Sequence, residues 1–229
     1  MSCDPGLCSD IANMFNVLTG YSAPENSFRK AVLAPFTLRS RLERLIEREI
    51  EHAQSGGQGE FIAKMNSLSD EGMIRLIHRA ADAGVKITLL VRGICCYRPV
   101  EGQTNCRIIS IVDRFLEHSR IFIFRNQGSA EYYLSSADWM TRNLDRRIEL
   151  MFPVEKRELR EQLDRIIALH LQDSDKLREL HSDGSYSPMP RLESYTPARS
   201  QEAIIRYFRA EYTRALDGSS GTPLKVRKD

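Results

Sequence analysis

The sequence predicts an α/β fold: a mixed, mostly parallel sheet flanked by helices, with further helices towards the C-terminus. Two observations carry that prediction. Over residues 30–93, apolar runs of strand length alternate with segments of helical periodicity, and this β-α-β-α-β order favours parallel strands under covering helices. The helical segments also keep Glu and Arg between their apolar positions, as helices do when one face meets a sheet and the other meets water.

Taken in order, residues 9–18 form a short helix with Ile11, Met14, Phe15 and Leu18 on one face, ended by Gly20 and a loop at Ala23 and Pro24. KAVLAPF, residues 30–36, is a buried strand that stops at Pro35. Leu38, Leu42, Leu45, Ile46 and Ile50 recur at helical spacing into Ala53, and residues 55–59 turn. EFIAKMNSL (60–68) is the second strand, residues 70–83 a helix with Met73, Ile74, Ile77 and Ala81 inward, and VKITLLVRG (85–93) the third strand. An irregular stretch over 99–105 leads to a short helix near residues 110–116, then to the strand RIFIF (120–124). Gln127 and Gly128 turn the chain into the strand AEYYLSSA (130–137), and RRIELMFPV (146–154) is one more. A long helix over 155–171 has Leu159, Leu163, Ile166, Ile167 and His170 on its inner side. Residues 182–197 are loop, 199–216 a last helix, and 218–229 a disordered tail.

Composition removes several function classes. The formal net charge is only +2, so bulk charge does not argue for nucleic acid or a membrane surface. An anion site must come from local placement of arginines. Five cysteines, with Cys95 and Cys96 adjacent and no repeated zinc-type spacing, point to reduced thiols rather than a disulfide framework. The first ten residues lack a basic start and an apolar run, so no signal peptide is expected, and the aliphatic run at 87–91 is too short to span a bilayer.

The chemistry concentrates in two stretches, RFLEHSRIFIF (114–124) and SADWMTRNLDRR (136–147). The first puts His118 at the head of an apolar strand, and the second supplies arginines. A guanidinium presents a planar fork of donors that fits phosphate oxygens, and a histidine among arginines can act as nucleophile or proton carrier at phosphorus. No P-loop or protein-kinase signature is present, so any phosphate cradle must be built from side-chain cations. Lys64, Asn66 and Arg92 fall at the carboxyl ends of predicted strands, where open α/β sheets bind ligands. Lys64 and Asn66 also share one strand face, which suggests a lined cleft. No His/Cys/carboxylate cluster suggests a protein-held metal.

RGICCYRP (92–99), SIVDRFLEHSR (110–120) and YLSSADWMTRNLDRRIE (133–149), with FNVLTG (15–20) and IAKMNSLSD (62–70), resemble the C-terminal part of bacterial polyphosphate kinase, a phospholipase-D-like enzyme. The resemblance implies a phospholipase-D-like sheet. It also implies transfer of the γ-phosphate of ATP to polyphosphate, reversibly, through a phosphohistidine in an upstream half that has no counterpart here. It implies a tail of a preceding catalytic domain over residues 1–29 and the C-terminal domain over 30–217. By the same resemblance Arg92, His118 and Arg147 contact the triphosphate, with His118 as proton donor or charge stabiliser. Ser135, Ser136, Asp138 and Asn143 match a segment that supports such groups. Magnesium is expected with ATP, and ATP or ADP, polyphosphate, the upstream half and further copies of the full-length enzyme are the expected partners, without nucleic acid. The implied location is cytoplasmic, with peripheral membrane association open. Phospholipase-D-like phosphodiesterases carry His-x-Lys-x-x-x-x-Asp, whereas this chain has Arg120 and Arg125 at the Lys and Asp positions. Losing the carboxylate speaks against phosphodiester cleavage, and an extra cation suits a more highly charged substrate. A dimeric phosphodiesterase and a non-catalytic polyphosphate-binding or assembly module are the rival expectations.

Overall fold

A computed structural model describes residues 4–21, 28–188 and 198–218. Its strands are β1 (Val32–Ala34), β2 (Glu60–Met65), β3 (Lys86–Val91), β4 (Cys106–Ile111), β5 (Arg120–Phe124), β6 (Glu131–Ser135), β7 (Glu149–Pro153), β8 (Leu177–Leu180) and β9 (Tyr186–Pro188). Among the described residues they form one sheet in the order β1-β7-β6-β5-β2-β3-β4-β8-β9. The helices are α1 (Pro5–Leu18), α2 (Leu38–Gln54), α3 (Glu71–Asp82), α4 (Thr141–Asp145), α5 (Arg157–Leu171) and α6 (Ser200–Gly218).

Strand alternation divides the interior in two. Phe61, Ala63 and Met65 of β2 face α2 and α3 with Leu42, Ile46, Met73 and Ile77, while Ile62 faces the other way, with Ile123, Leu163 and Ile167 on the α5 side. α3 starts where Asp70 caps it, accepting from Met73 N at 3.0 Å. The same carboxylate takes two hydrogen bonds from Arg39 of α2, at 2.9 and 2.7 Å, which ties the two covering helices together. α1 is anchored by buried Asp10, which accepts from the backbone N–H groups of Arg29, Lys30 and Ala31.

The sheet is mixed as expected, but the expected predominance of parallel pairing is corrected. Among the described strands only β2–β3 and β3–β4 run parallel, and the other six pairings are antiparallel. The β1 segment shows why. It does not join β2 but crosses to the far edge and pairs with β7, Val32 opposite Met151. The helix expected near residues 110–116 is also overturned. CRIISI is strand β4, paired with β3 on one side and β8 on the other, and residues 112–119 are irregular. β9 extends the sheet within the 182–197 stretch expected as loop, whose residues 189–197 lie outside the described residues, and β8 forms just before it, where no element was expected. The loop at Ala23 and Pro24 and the tail from residue 219 lie outside the described residues.

Candidate functional site

The carboxyl ends of β2, β3 and β4 lie at the same end of the sheet as the start of β5 and the end of β6, because Lys64 pairs with Ile121 and Arg120 with Ser135. His118, Asn66 and Arg92 therefore meet at one edge of the molecule from strands far apart in sequence.

A continuous chain of hydrogen bonds joins them. Arg92 donates to Asn66 Oδ1 from Nε at 3.1 Å and from Nη2 at 2.6 Å. Asn66 donates its backbone N–H to Asp138 Oδ1 at 2.7 Å, and its Nδ2 lies 3.3 Å from the same oxygen. Arg120 grips Asp138 with both arms, Nε to Oδ1 at 3.1 Å and Nη2 to Oδ2 at 3.0 Å. Its Nη1 then reaches His118, 2.9 Å from Nδ1 and 2.9 Å from the backbone carbonyl. Asn66, Arg120 and Asp138 are all buried. Burial alone would raise the Asp138 carboxyl, but the Arg120 guanidinium and the N–H groups of Asn66 and Ser67 outweigh it and hold it below the ordinary carboxylate range. Gly93 permits the close approach of β3 to Asn66, since a Cβ there would come within 2.9 Å of the Asn66 carbonyl oxygen.

Arginine has no acceptor, so His118 Nδ1 must be the lone-pair partner in this contact. Neutral His118 then carries its proton on Nε2. An imidazole held this way can donate to an oxygen from Nε2. A nucleophilic imidazole would need the opposite arrangement, with a carboxylate holding Nδ1–H.

His118 opens onto a cleft of about 630 Å³, lined also by Ser135, Ser136, Arg142, Asn143 and Arg147. Arg142 and Arg147 are exposed, and among the described residues neither forms an ion pair with a carboxylate. Two acidic groups line this cleft: Asp138, held by Arg120, and Glu149, which accepts from Asn143 Nδ2 at 2.5 Å and from Ser136 Oγ. Ser135 donates to the Leu150 carbonyl at 3.0 Å and accepts from Ala137 N, so it shapes the turn at the end of β6. Of the candidates for support, Asp138 sits at the centre of the site while Ser135, Ser136 and Asn143 build its wall.

Lys64 is placed differently from the others. Its ammonium is buried, 3.0 Å from Glu117 Oε2 and 3.1 Å from Ser119 Oγ, so it is committed to the loop that carries His118. That loop has two further clamps. His170 of α5 meets Glu117 through Nε2 at 2.6 Å while its Nδ1 faces the Ile166 carbonyl at 2.7 Å. Gln201 of α6 brackets the backbone of Phe115, accepting from its N and donating to its O, both at 2.8 Å. Burial would raise Glu117, yet His170, Lys64 and Gln201 hold it well below the usual range.

The extra cation expected from Arg125 does not reach the cleft. It lies past the opposite end of β5, bonded to Tyr132 OH and paired with Asp164 at 3.4 Å, because the strand carries it away from His118. Arg120, Glu117, His170 and Gln201 were not among the candidate site residues. His170 had a signal, as a polar residue on the inner face of a helix, but its partner is 53 residues away and no local pattern names it.

A family model described as polyphosphate kinase C-terminal domain 2 matches residues 31–201. A polyphosphate kinase of Synechocystis sp. is 48% identical over 207 residues, covering 90% of this chain and 28% of that protein. One of Pseudomonas aeruginosa is 41% identical over 207 residues, covering 90% and 30%. The crystal structure of polyphosphate kinase from Porphyromonas gingivalis superposes with a TM-score of 0.88 at 37% identity, over 93% of this chain and 33% of that one. The chain thus spans under a third of the length of these relatives. It belongs to the polyphosphate kinase family, in which it corresponds to the C-terminal domain.

Proposed function

We propose that this chain supplies one wall of an ATP:polyphosphate phosphotransferase site. In this reading the γ-phosphate moves reversibly to polyphosphate by way of a phosphohistidine on the part of the relatives that this chain does not span. The chain alone is then inactive. The observation that carries the reading is the hydrogen-bonded line from Arg92 through Asn66, Asp138 and Arg120 to His118. It fixes an arginine at one end and a proton-bearing imidazole Nε2 at the other, without using up either group.

His118 donates from Nε2 to a phosphate oxygen as charge develops there. Arg92 and Arg147 neutralise charge on neighbouring oxygens, an electrostatic contribution made by groups already in place. Among the described residues no group of three or more His, Cys, Asp or Glu side chains is placed to hold a metal ion. Magnesium bound to the nucleotide phosphates would add charge neutralisation there. A cytoplasmic location, where ATP is abundant, and oligomers of the full-length enzyme belong to the same reading. Among the described residues no helix is long and apolar enough to cross a membrane. The phosphodiesterase alternative requires a free lone pair on Nε2, and the Arg120 contact at Nδ1 disfavours it.

The test is polyphosphate synthesis from Mg-ATP by this chain mixed with the upstream portion of a relative. Synthesis should require both pieces and fall by roughly 10²-fold or more in His118→Ala. No synthesis from a mixture shown to be folded and associated would leave a polyphosphate-binding or assembly role.

A further inference from the structure

The same end of the sheet carries a second cleft, of about 510 Å³, on the side of Arg92 away from His118. Arg92, Ser110, Lys176, Arg178 and Tyr186 are among the residues that bound it. Its position follows from register. Ile111 pairs with Leu177 and Ser110 with Arg178, so the start of β8 stands level with the end of β4.

Its cations are under-compensated. Among the described residues Arg92 donates only to the neutral amide oxygen of Asn66. Arg178, among the described residues, donates only to the backbone carbonyls of Asp175 and Leu177, at 3.1 and 3.0 Å. Among the described residues neither guanidinium is paired with a carboxylate. Lys176 lies 3.4 Å from Asp175, and Asp113, the other acid in its field, is committed to Arg199. Guanidiniums lining an open cleft without counter-charge favour an anion, and their planar forks favour phosphate oxygens.

The spacing narrows the ligand. In the order β5-β2-β3-β4-β8, the Lys176–Arg178 pair stands four strands from His118. At about 4.8 Å per strand that is a span of roughly 19 Å. A triphosphate has three phosphorus atoms joined by two bridging oxygens and cannot cover it, whereas a linear polymer of phosphate can. We infer that inorganic polyphosphate lies along this end of the sheet, running from the His118 cleft past Arg92 into the Lys176–Arg178 cleft. The identity of the ligand rests on the phosphotransferase reading, while the existence of an extended polyanion track rests on the geometry.

The experiment measures binding of tripolyphosphate and long-chain polyphosphate to this chain, with a single-stranded oligonucleotide as a second polyanion. In Lys176→Ala/Arg178→Ala, affinity for the long chain should fall roughly tenfold or more, with a salt dependence shallower by about 1–2 in log–log slope. Tripolyphosphate binding should stay within about twofold of wild type, because its site lies beside His118 and Arg92. Lys176→Arg/Arg178→Lys keeps both charges and should restore long-chain binding, which separates lost charge from lost fold. Equal losses for the short and long ligands, no loss for either, or oligonucleotide binding as tight and as dependent on the pair, would each overturn the track. Dependence on the pair without synthesis in the mixed-piece assay would sustain the track and remove the phosphotransferase reading. Synthesis that ignores the pair would do the reverse.

Discussion

At the scale of single residues, Arg120 decides what His118 can do. One guanidinium holds both oxygens of buried Asp138 and the Nδ1 of His118, three contacts that a lysine ammonium cannot reproduce with the same planar geometry. Arg120→Lys should therefore release His118 from its single tautomer. A nitrogen-15 NMR spectrum of the imidazole should show Nδ1 unprotonated in the wild type and a mixture of tautomers in the variant. Activity in the mixed-piece assay should drop about 10–100-fold, the usual effect of losing a group that orients a functional one. Arg120→Ala should also destabilise the fold by about 3–5 kcal/mol, since it leaves the Asp138 charge buried without its partner. The sequence displayed Arg120 as a departure from a phosphodiesterase motif. It could not display the role, because Asp138 lies eighteen residues away and meets Arg120 only across β5 and β6.

At the scale of elements, the loop over residues 112–119 has no regular structure and no apolar anchor of its own. Phe115 and Leu116 are exposed. It is held by α5 through His170, by α6 through Gln201 and by β2 through Lys64. Gln201→Ala removes both bonds to the Phe115 backbone and should cost about 1–2 kcal/mol. Hydrogen exchange should speed up at Phe115, with β5 amides unchanged, and faster exchange spread evenly over β5 would contradict a local clamp. The C-terminal helices thus shape the site from outside its lining. This loop is also where sequence reading fell short. Ile111, Val112, Phe115 and Leu116 have a spacing that suits a helix, yet Ile108, Ile109 and Ile111 are claimed by β3 and β8 on either side. Strand pairing outweighed local periodicity, and no window of a few residues contains the partners.

At the scale of the whole molecule, several carboxylates are paired or capped where they are buried, and stability is tied to their ionisation. Burial alone would raise Asp70, but Arg39, the Met73 N–H and the Thr141 hydroxyl hold it at about 2, below its ordinary 3.8. Asp138 and Glu117 are depressed by the same balance. A carboxyl whose folded value is lowered contributes fully above its unfolded value and loses that contribution as pH falls through the folded one. Urea midpoints should therefore be flat near neutrality and fall from about pH 4 towards pH 2. Asp70→Asn should lower the midpoint at neutral pH and flatten this acid slope. An unchanged slope would show that the Arg39–Asp70 link between α2 and α3 carries none of the acid sensitivity.

The sequence by itself determined the α/β class, the strands RIFIF and EFIAKM, the helices that cover the sheet, and the family, because these are written in short-range periodicity and continuous motifs. It also named His118, Arg92, Asn66 and Asp138 as candidates, and the fold brings these four together at one end of the sheet. Only the tertiary structure decided that six of the eight strand pairings among the described residues are antiparallel, that Arg125 points away while Arg120 links the site, and that β8 brings Lys176 and Arg178 to the same end as His118. The physical reason is common to all three. Strand order and side-chain partnership are set by contacts between segments tens of residues apart, and hydrogen-bonding groups at a strand end take whichever partner the neighbouring strand delivers.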